Sequence, residues 1–416
     1  MSRTFDISKT AVLEAWKRVK SKGGGPGIDG VTIAEFEKNL KDNLYRIWNR
    51  MSSGSYFPPH VRSVEIPKKS GGFRRLGVPT TADRVAQGVV AELLDIKIDP
   101  IFCKDSYGYR KGKSALDAIA VTRERCWKYE WVLEFDVRGL FDNIPHALLL
   151  KALNYHVKEP WVLLYVERWL KASMVLPNGN IIERDTGTPQ GGVVSPILAN
   201  LFMHYAFDKW MQREFPKIPW CRYADDGLAH CASQAQAEML RKRLAQRLLE
   251  CGLEIHPDKT RIIYCNPRDK STNYPIRKFS FLGYEFRGRM ALSQKNKAIF
   301  VGFLPAICPF AAMDIREQVR EVFRRFGTHK TIGELSQILN PMIRGWFNYY
   351  GCFQRSALAK IGLFIDHRLM QWAGHKYANL FRHRVRRWKW LKYRFRDSPK
   401  LFAHWAVFPV SLSGAG

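Results

Sequence analysis

Acidic side chains are the scarce class in this 416-residue chain: 38 Asp and Glu stand against 67 Lys and Arg, a formal net charge of +29. That balance disfavours basic partners and points to polyanions, since each cation laid on a backbone phosphate releases condensed counterions. No C-x-x-C pair occurs among the eight cysteines at 103, 126, 221, 231, 251, 265, 308 and 352, so neither a zinc module nor a disulfide framework is indicated. They read as core thiols of a reducing cytoplasm. No run of 18 or more apolar residues is present, and the first residues, Met-Ser-Arg-Thr-Phe-Asp, lack a basic segment followed by an apolar one. Membrane spanning and secretion are therefore not expected. Disorder is not expected either, because a chain of this length at 46% hydrophobic residues can bury a large core, divided by length into two or three domains.

What is present centres on acids. Tyr223-Ala-Asp225-Asp226 places two adjacent carboxylates between short apolar segments, and a third, Asp136, ends the β-branched and aromatic run Trp131-Val-Leu-Glu-Phe135. Nucleotidyl transfer needs two divalent ions, one for the attacking and one for the leaving oxygen. Three carboxylates from two segments suffice to hold them, because Mg²⁺ completes its shell with water and phosphate. The competing explanation is an ordinary turn, where Asp is common.

Further motifs follow in order: Gly25-Pro-Gly-Ile-Asp-Gly30, Ile66-Pro-Lys-Lys-Ser-Gly-Gly-Phe-Arg-Arg-Leu-Gly-Val-Pro79, Ser106-Tyr-Gly-Tyr-Arg-Lys-Gly112, Gly187-Thr-Pro-Gln-Gly-Gly-Val-Val-Ser-Pro196, Phe281-Leu-Gly-Tyr284 and Ile343-Arg-Gly-Trp-Phe-Asn-Tyr-Tyr350. Together with the Asp elements they make the chain, from about Gly24 to about Trp405, resemble the reverse transcriptases encoded by group II introns, also called maturases. The resemblance implies an α+β right-hand polymerase fold, fingers and palm with an antiparallel palm sheet, followed by an all-helical thumb. It implies an amino-terminal extension over 1–49, fingers and palm over 50–292, a thumb or maturase domain over 293–377, and a basic aromatic tail over 378–416 as a rudimentary DNA-binding region.

The residue roles are likewise what the resemblance implies. Asp136, Asp225 and Asp226 are the catalytic, metal-holding set for two Mg²⁺ ions, with Mn²⁺ able to substitute. Lys68 and Arg74, at the tip of a hairpin, would contact the triphosphate; Lys69 and Arg75 remain alternatives, as does a merely solvated charged turn. Phe141 would exclude a 2′-hydroxyl, although a Phe after a strand is ordinarily core, and Asp142 would cap the following helix. Gln190 would position nucleotide and template, unless its segment is a plain Gly-containing turn. Lys259 would approach the leaving pyrophosphate as a general acid, against the ordinary reading of a surface lysine. Leu282, Gly283 and Tyr284 correspond to the primer grip. The Gly-rich 22–30 segment would help hold the template; by composition alone it is a flexible connection.

From about Ser293 the composition turns to basic, aromatic helices, and most of Trp346, Phe347, Tyr349 and Tyr350 are read as helix-packing core. In the tail, Arg384, Arg386, Arg387, Lys389 and Lys392 interleave with aromatics, a pattern suited to phosphate contact and base stacking. A basic membrane-surface helix is the competing reading. The expected partners are intron RNA, an RNA template, a DNA primer or target and deoxynucleoside triphosphates, with no membrane and an unspecified oligomeric state. The expected location is the bacterial cytoplasm, at the nucleoid during integration. With no His-Asn-His or paired-Cys nuclease segment before Gly416, cleavage of a second DNA strand is not expected. Two rival functions remain: a host-adopted relative serving repair or phage defence, and an RNA-binding splicing factor without polymerase activity. Three converging acids argue against the latter, because their repulsion costs stability without a metal.

Overall fold

The computed structural model describes residues 4–67, 72–269, 273–292 and 298–410. Lys68 and Lys69 lie outside these. Two compact units divide the chain, one formed by residues 1–118 and 131–262 and the other by 119–130 and 263–416.

The first unit opens with helices α1 (Lys9–Lys22), α2 (Ile33–Lys38) and α3 (Leu40–Ser52). Thr32 and Glu35 form a reciprocal capping box that starts α2. The glycine-rich segment between α1 and α2 is packed. Arg84, on α4 (Thr81–Ile98), donates to the carbonyls of Gly23 and Gly25 at 3.4 and 2.7 Å. A Cβ on Gly27 would lie 2.5 Å from the Thr80 Cα, so only glycine fits there.

Strands β1 (Val61–Pro67) and β2 (Phe73–Val78) pair antiparallel, with β4 (Met174–Val175) and β5 (Ile181–Ile182) extending the same sheet in the order β2-β1-β4-β5. A second sheet, ordered β6-β7-β3-β8, comprises β3 (Trp131–Asp136), β6 (Trp220–Tyr223), β7 (Asp226–Cys231) and β8 (Arg261–Tyr264). The near-continuous burial of β3 and β7 marks a sheet covered on both faces. Helices α6 (Leu140–Asn143), α7 (His146–His156), α8 (Pro160–Leu170), α9 (Ser195–Met203), α10 (Lys209–Glu214) and α11 (Gln234–Glu250) complete this unit, and α5 (Ala115–Lys128) passes from it into the second. Between α9 and α10 the helix widens into one π turn, His204–Asp208.

In the second unit β9 (Lys278–Phe281), β10 (Tyr284–Leu292) and β11 (Ile299–Ile307) form an antiparallel sheet ordered β11-β10-β9. The helices that follow are α12 (Pro309–Phe326), α13 (Ile332–Gln354), α14 (Ala359–Lys376) and α15 (Arg384–Asp397), packed around a core that includes Ile315, Leu339, Ile365, Leu369, Phe402 and Trp405. Trp346, Phe347 and Tyr350 pack against that core, half-buried. The helical run therefore begins at Pro309, since Ile299–Ile307 is paired along β10. Seven cysteines are buried and Cys352 is exposed. No helix among the described residues is long and apolar enough to cross a membrane.

Candidate active site

Antiparallel register brings the acids together. Asp136, the last residue of β3, stands opposite Asp226, the first of β7, and Tyr223 pairs with Asp226 across the hairpin that turns through Ala224 and Asp225. Gly227 makes this approach possible, because a Cβ there would sit 2.1 Å from the Phe135 ring. Ala224 takes φ +58°, the left-handed region that non-glycine residues rarely occupy.

The carboxyls are held under electrostatic load. Loss of solvation, then Asp225, then Asp136 push the Asp226 carboxyl up to about 7, although its side chain still reaches the surface. Asp225 is raised by the same loss of solvation and by Asp136, with Arg74 and Lys259 opposing. Lys259, on a 3-10 turn before β8, donates from Nζ to Asp136 Oδ2 at 2.8 Å, and that bond holds the ammonium more firmly protonated than usual. Three converging acids, two of them raised and the third met by an ammonium, are a donor set suited to divalent cations.

Asp136 and Asp225 open onto a cleft of about 1170 Å³ whose lining also includes Arg74, Arg75, Phe141, Asp142, Arg184, Gln190 and Lys259. Arg74 donates to Gln190 Oε1, and Gln190 donates in turn to Asp142 Oδ2 at 3.1 Å. Arg75, its neighbour on β2, turns to Glu65 instead, at 3.4 Å. Asp142 caps no helix: it lies inside α6, and its carboxylate serves Gln190. Phe141 is buried at the cleft wall, edge-on to Tyr109 at 6.5 Å.

The loop bearing Gln190 is fixed from three sides. Gly77 of β2 donates to the Gln190 carbonyl at 2.7 Å, and a Cβ on Gly191 would lie 2.5 Å from the Gly77 oxygen. Gln87, buried on α4, accepts from the Val193 and Val194 amides at 2.7 and 3.4 Å and donates to Asp83. Asp83 also receives Tyr56 and Trp169, both at 2.8 Å. Sequence reasoning missed Gln87 and Asp83 because nothing local marks them; the signal available was two polar residues inside an otherwise apolar helix face. It also missed Arg222, a lone cation within an apolar strand.

In the second unit, Leu282 and Gly283 form a two-residue hairpin turn with φ +51° and +79°. Tyr284 is fully buried, its hydroxyl donating to the Tyr349 carbonyl, while the Tyr349 hydroxyl donates to the Leu282 carbonyl at 2.8 Å. Its place is therefore beneath the turn, and the tip itself is Leu282 and Gly283. On α15, Arg384, Arg386 and Lys389 are exposed. Arg387 differs from the expectation: it is half-buried across Gly374, with Nε donating to the Leu380 carbonyl at 3.0 Å, so it holds the helix in place. Lys392 lies over the Trp388 ring at 5.5 Å.

Comparison with known proteins adds to this geometry. The family described as "Reverse transcriptase (RNA-dependent DNA polymerase)" matches residues 66–286, and "Group II intron, maturase-specific domain" matches 312–393. The chain is similar to the COX1/OXI3 intron 2 protein of Saccharomyces cerevisiae, 33% identical over 214 residues covering 49% of this chain and 24% of that protein. It is similar to protein YkfC of Escherichia coli, 28% identical over 60% of this chain and 75% of the other. It is also similar to the group II intron-encoded protein LtrA of Lactococcus lactis subsp. cremoris, 33% identical over 43% of this chain and 30% of the relative. The chain thus spans less than a third of the length of two of these relatives. Among solved structures, a telomerase from Candida albicans with a fragment of telomeric RNA aligns over 92% of this chain and 69% of that one, at 11% identity and a TM-score of 0.45.

Proposed function

The chain belongs to the reverse transcriptase (RNA-dependent DNA polymerase) family and carries a group II intron maturase-specific segment, and on that premise we propose that it is an RNA-directed DNA polymerase that also serves a group II intron as its maturase. The observation that carries this reading is the facing pair Asp136 and Asp226 with Asp225 in the turn beside them, Asp136 and Asp225 lining a cleft that also carries Arg74, Arg75, Arg184 and Lys259.

Asp136 and Asp225 would hold two divalent ions, Mg²⁺ in the cell with Mn²⁺ able to substitute, and Asp226 would support the second position. When bound, these ions lower the cost of charge on the attacking and leaving oxygens. The primer 3′-hydroxyl attacks the α-phosphate of a deoxynucleoside triphosphate and pyrophosphate leaves. Arg74 meets the triphosphate on leaving Gln190, its forked guanidinium matching phosphate oxygens. Lys68, outside the described residues, is the second triphosphate contact. Gln190 positions sugar and template, Phe141 rejects a 2′-hydroxyl, and Lys259, released from Asp136, protonates the departing pyrophosphate. Leu282 and Gly283 meet the primer terminus, with Tyr284 supporting them.

The chain is divided into an amino-terminal extension over 1–49, fingers and palm over 50–292, thumb over 293–377 and tail over 378–416. Its partners are intron RNA, an RNA template and a DNA primer or target, and its setting is the bacterial cytoplasm. Primer extension on an RNA template with Mg²⁺ and deoxynucleotides tests the reading, with Asp225→Asn as control. Extension by the natural chain and at least ~10²-fold loss in the variant is the expected result. No extension by folded, RNA-binding natural protein would overturn it.

A further inference from the structure

Directly beneath the catalytic turn lies Arg222, fully buried, with every one of its five N–H donors engaged. Nε and Nη2 grip both oxygens of Asp208 at 2.8 Å, Nη2 also reaches Ser106 Oγ at 2.9 Å, and Nη1 donates to Asn200 Oδ1 at 3.0 Å and to the Ala224 carbonyl at 2.9 Å. Resting on the polymerase reading above, we infer that this buried ion pair is a positioning device for the catalytic turn: it holds Ala224 in its left-handed conformation and so presents the Asp225 carboxylate to divalent cations.

Three observations converge on that assignment. A left-handed Ala is strained and persists only where its surroundings over-determine it. Arg222 supplies the bond to the Ala224 carbonyl, and Gly108 seals the other side, since a Cβ there would lie 2.5 Å from the Ala224 nitrogen. Gly108 is itself fixed by Asn200, whose Nδ2 donates to its carbonyl at 2.7 Å, and the Arg222 backbone bonds to Asp105 and Tyr107 at 2.9 and 2.8 Å. The Ser106-Tyr-Gly segment, the π turn carrying Asp208 and the catalytic turn therefore meet on one guanidinium.

A buried pair is not retained for stability alone, because apolar residues of similar volume commonly replace one without loss. Nor is the group a metal centre. Cys103, His204 and Asp208 lie within 4.8 Å of one another, but Arg222 occupies both Asp208 oxygens, and burial, with Asp208 nearby, pushes the Cys103 thiol up to about 11.

The test uses the full chain and Mn²⁺ as the probe, its binding followed by the loss of the free-ion paramagnetic resonance signal. Alongside it run the metal concentration for half-maximal primer extension and RNA affinity. The paired change Arg222→Met with Asp208→Leu removes the ion pair without stranding a charge; Arg222→Lys keeps the charge but cannot reach both Asp208 and Ala224, and carries the same test if the paired variant does not fold. Both should bind Mn²⁺ ~10–100-fold more weakly, as removal of outer-shell partners does, with unchanged RNA affinity. Adding Ala224→Gly to Arg222→Lys should recover part of the loss, because glycine adopts φ +58° freely. Natural Mn²⁺ affinity in either folded variant, or no recovery from Ala224→Gly, overturns the inference. Failure of the natural protein to extend primers while the variants still lose Mn²⁺ would instead overturn the polymerase reading alone.

Discussion

Asp226 is the side chain on which the pH response of the site turns. Its carboxyl sits at about 7 in the folded protein, against an ordinary value of 3.8, because it is partly desolvated and two carboxylates face it. Below about pH 4 it is protonated whether the chain is folded or not, and nothing is lost. Between about 4 and 7 the unfolded chain releases the proton while the folded chain keeps it, so the folded state loses stability as pH rises through that window. In EDTA, the melting temperature of the natural protein should therefore fall relative to Asp226→Asn between pH 4 and 7 and level off above. Divalent cation added above pH 7 should raise it again by mass action. A difference between the two proteins that stays flat across the window, measured by thermal melts, would mean that the carboxyl titrates normally and that the acids do not press on one another.

At the scale of elements, the site is built less by its own loop than by what grips that loop. Gln87 offers one oxygen to two backbone amides of the Gln190 loop while its amide is held by buried Asp83. Gln87→Ala strips two amides of their acceptor and frees one carboxylate oxygen. Each orphaned buried group costs about 1–3 kcal/mol, and the loop is where that is relieved, by moving. Steady-state primer extension should show a raised KM for deoxynucleotides with RNA affinity unchanged; an unaltered KM would show that Gly77 and the Gly191 close approach hold the loop without help. The acids, Gln190 and Lys259 were legible in the sequence because each sits in a short local pattern. Gln87, Asp83, Asp208 and Arg222 were not, since their meaning lies in distant partners, 14 to 116 residues away. Strand β11 was hidden for a related reason. Its Pro305 reads as a breaker, yet β11 is the edge of its sheet, where a missing N–H is tolerated. Helix α13 likewise runs through Pro341, started by the Thr331–Glu334 capping box and held by buried Leu335, Leu339 and Ile343.

Over the whole molecule, the excess of 67 basic over 38 acidic residues was the first property visible in the sequence, and it acts through the cations left facing solvent. Many are spoken for: Arg320 and Arg324 bridge Glu317, Lys330 bridges Glu334, and Arg387 caps a carbonyl. Along α15 the exposed set is Arg384, Arg386, Lys389 and Arg396, whereas Arg387 belongs to the packing. Composition cannot separate these classes, because a cation that caps a carbonyl and one that meets phosphate look alike in sequence. Salt dependence can. If the four exposed cations contact single-stranded RNA, replacing all four by Ala should flatten the slope of log affinity against log salt by about 3, at roughly 0.7 per phosphate contact, with little change in melting temperature. Arg387→Ala should do the reverse, lowering the melting temperature through the lost carbonyl bond and the uncovered Gly374 while leaving the slope in place. Equal slopes in the natural and quadruply substituted proteins, measured by filter binding across a salt series, would remove α15 from the RNA-binding surface and shift the phosphate contacts to the other basic helices.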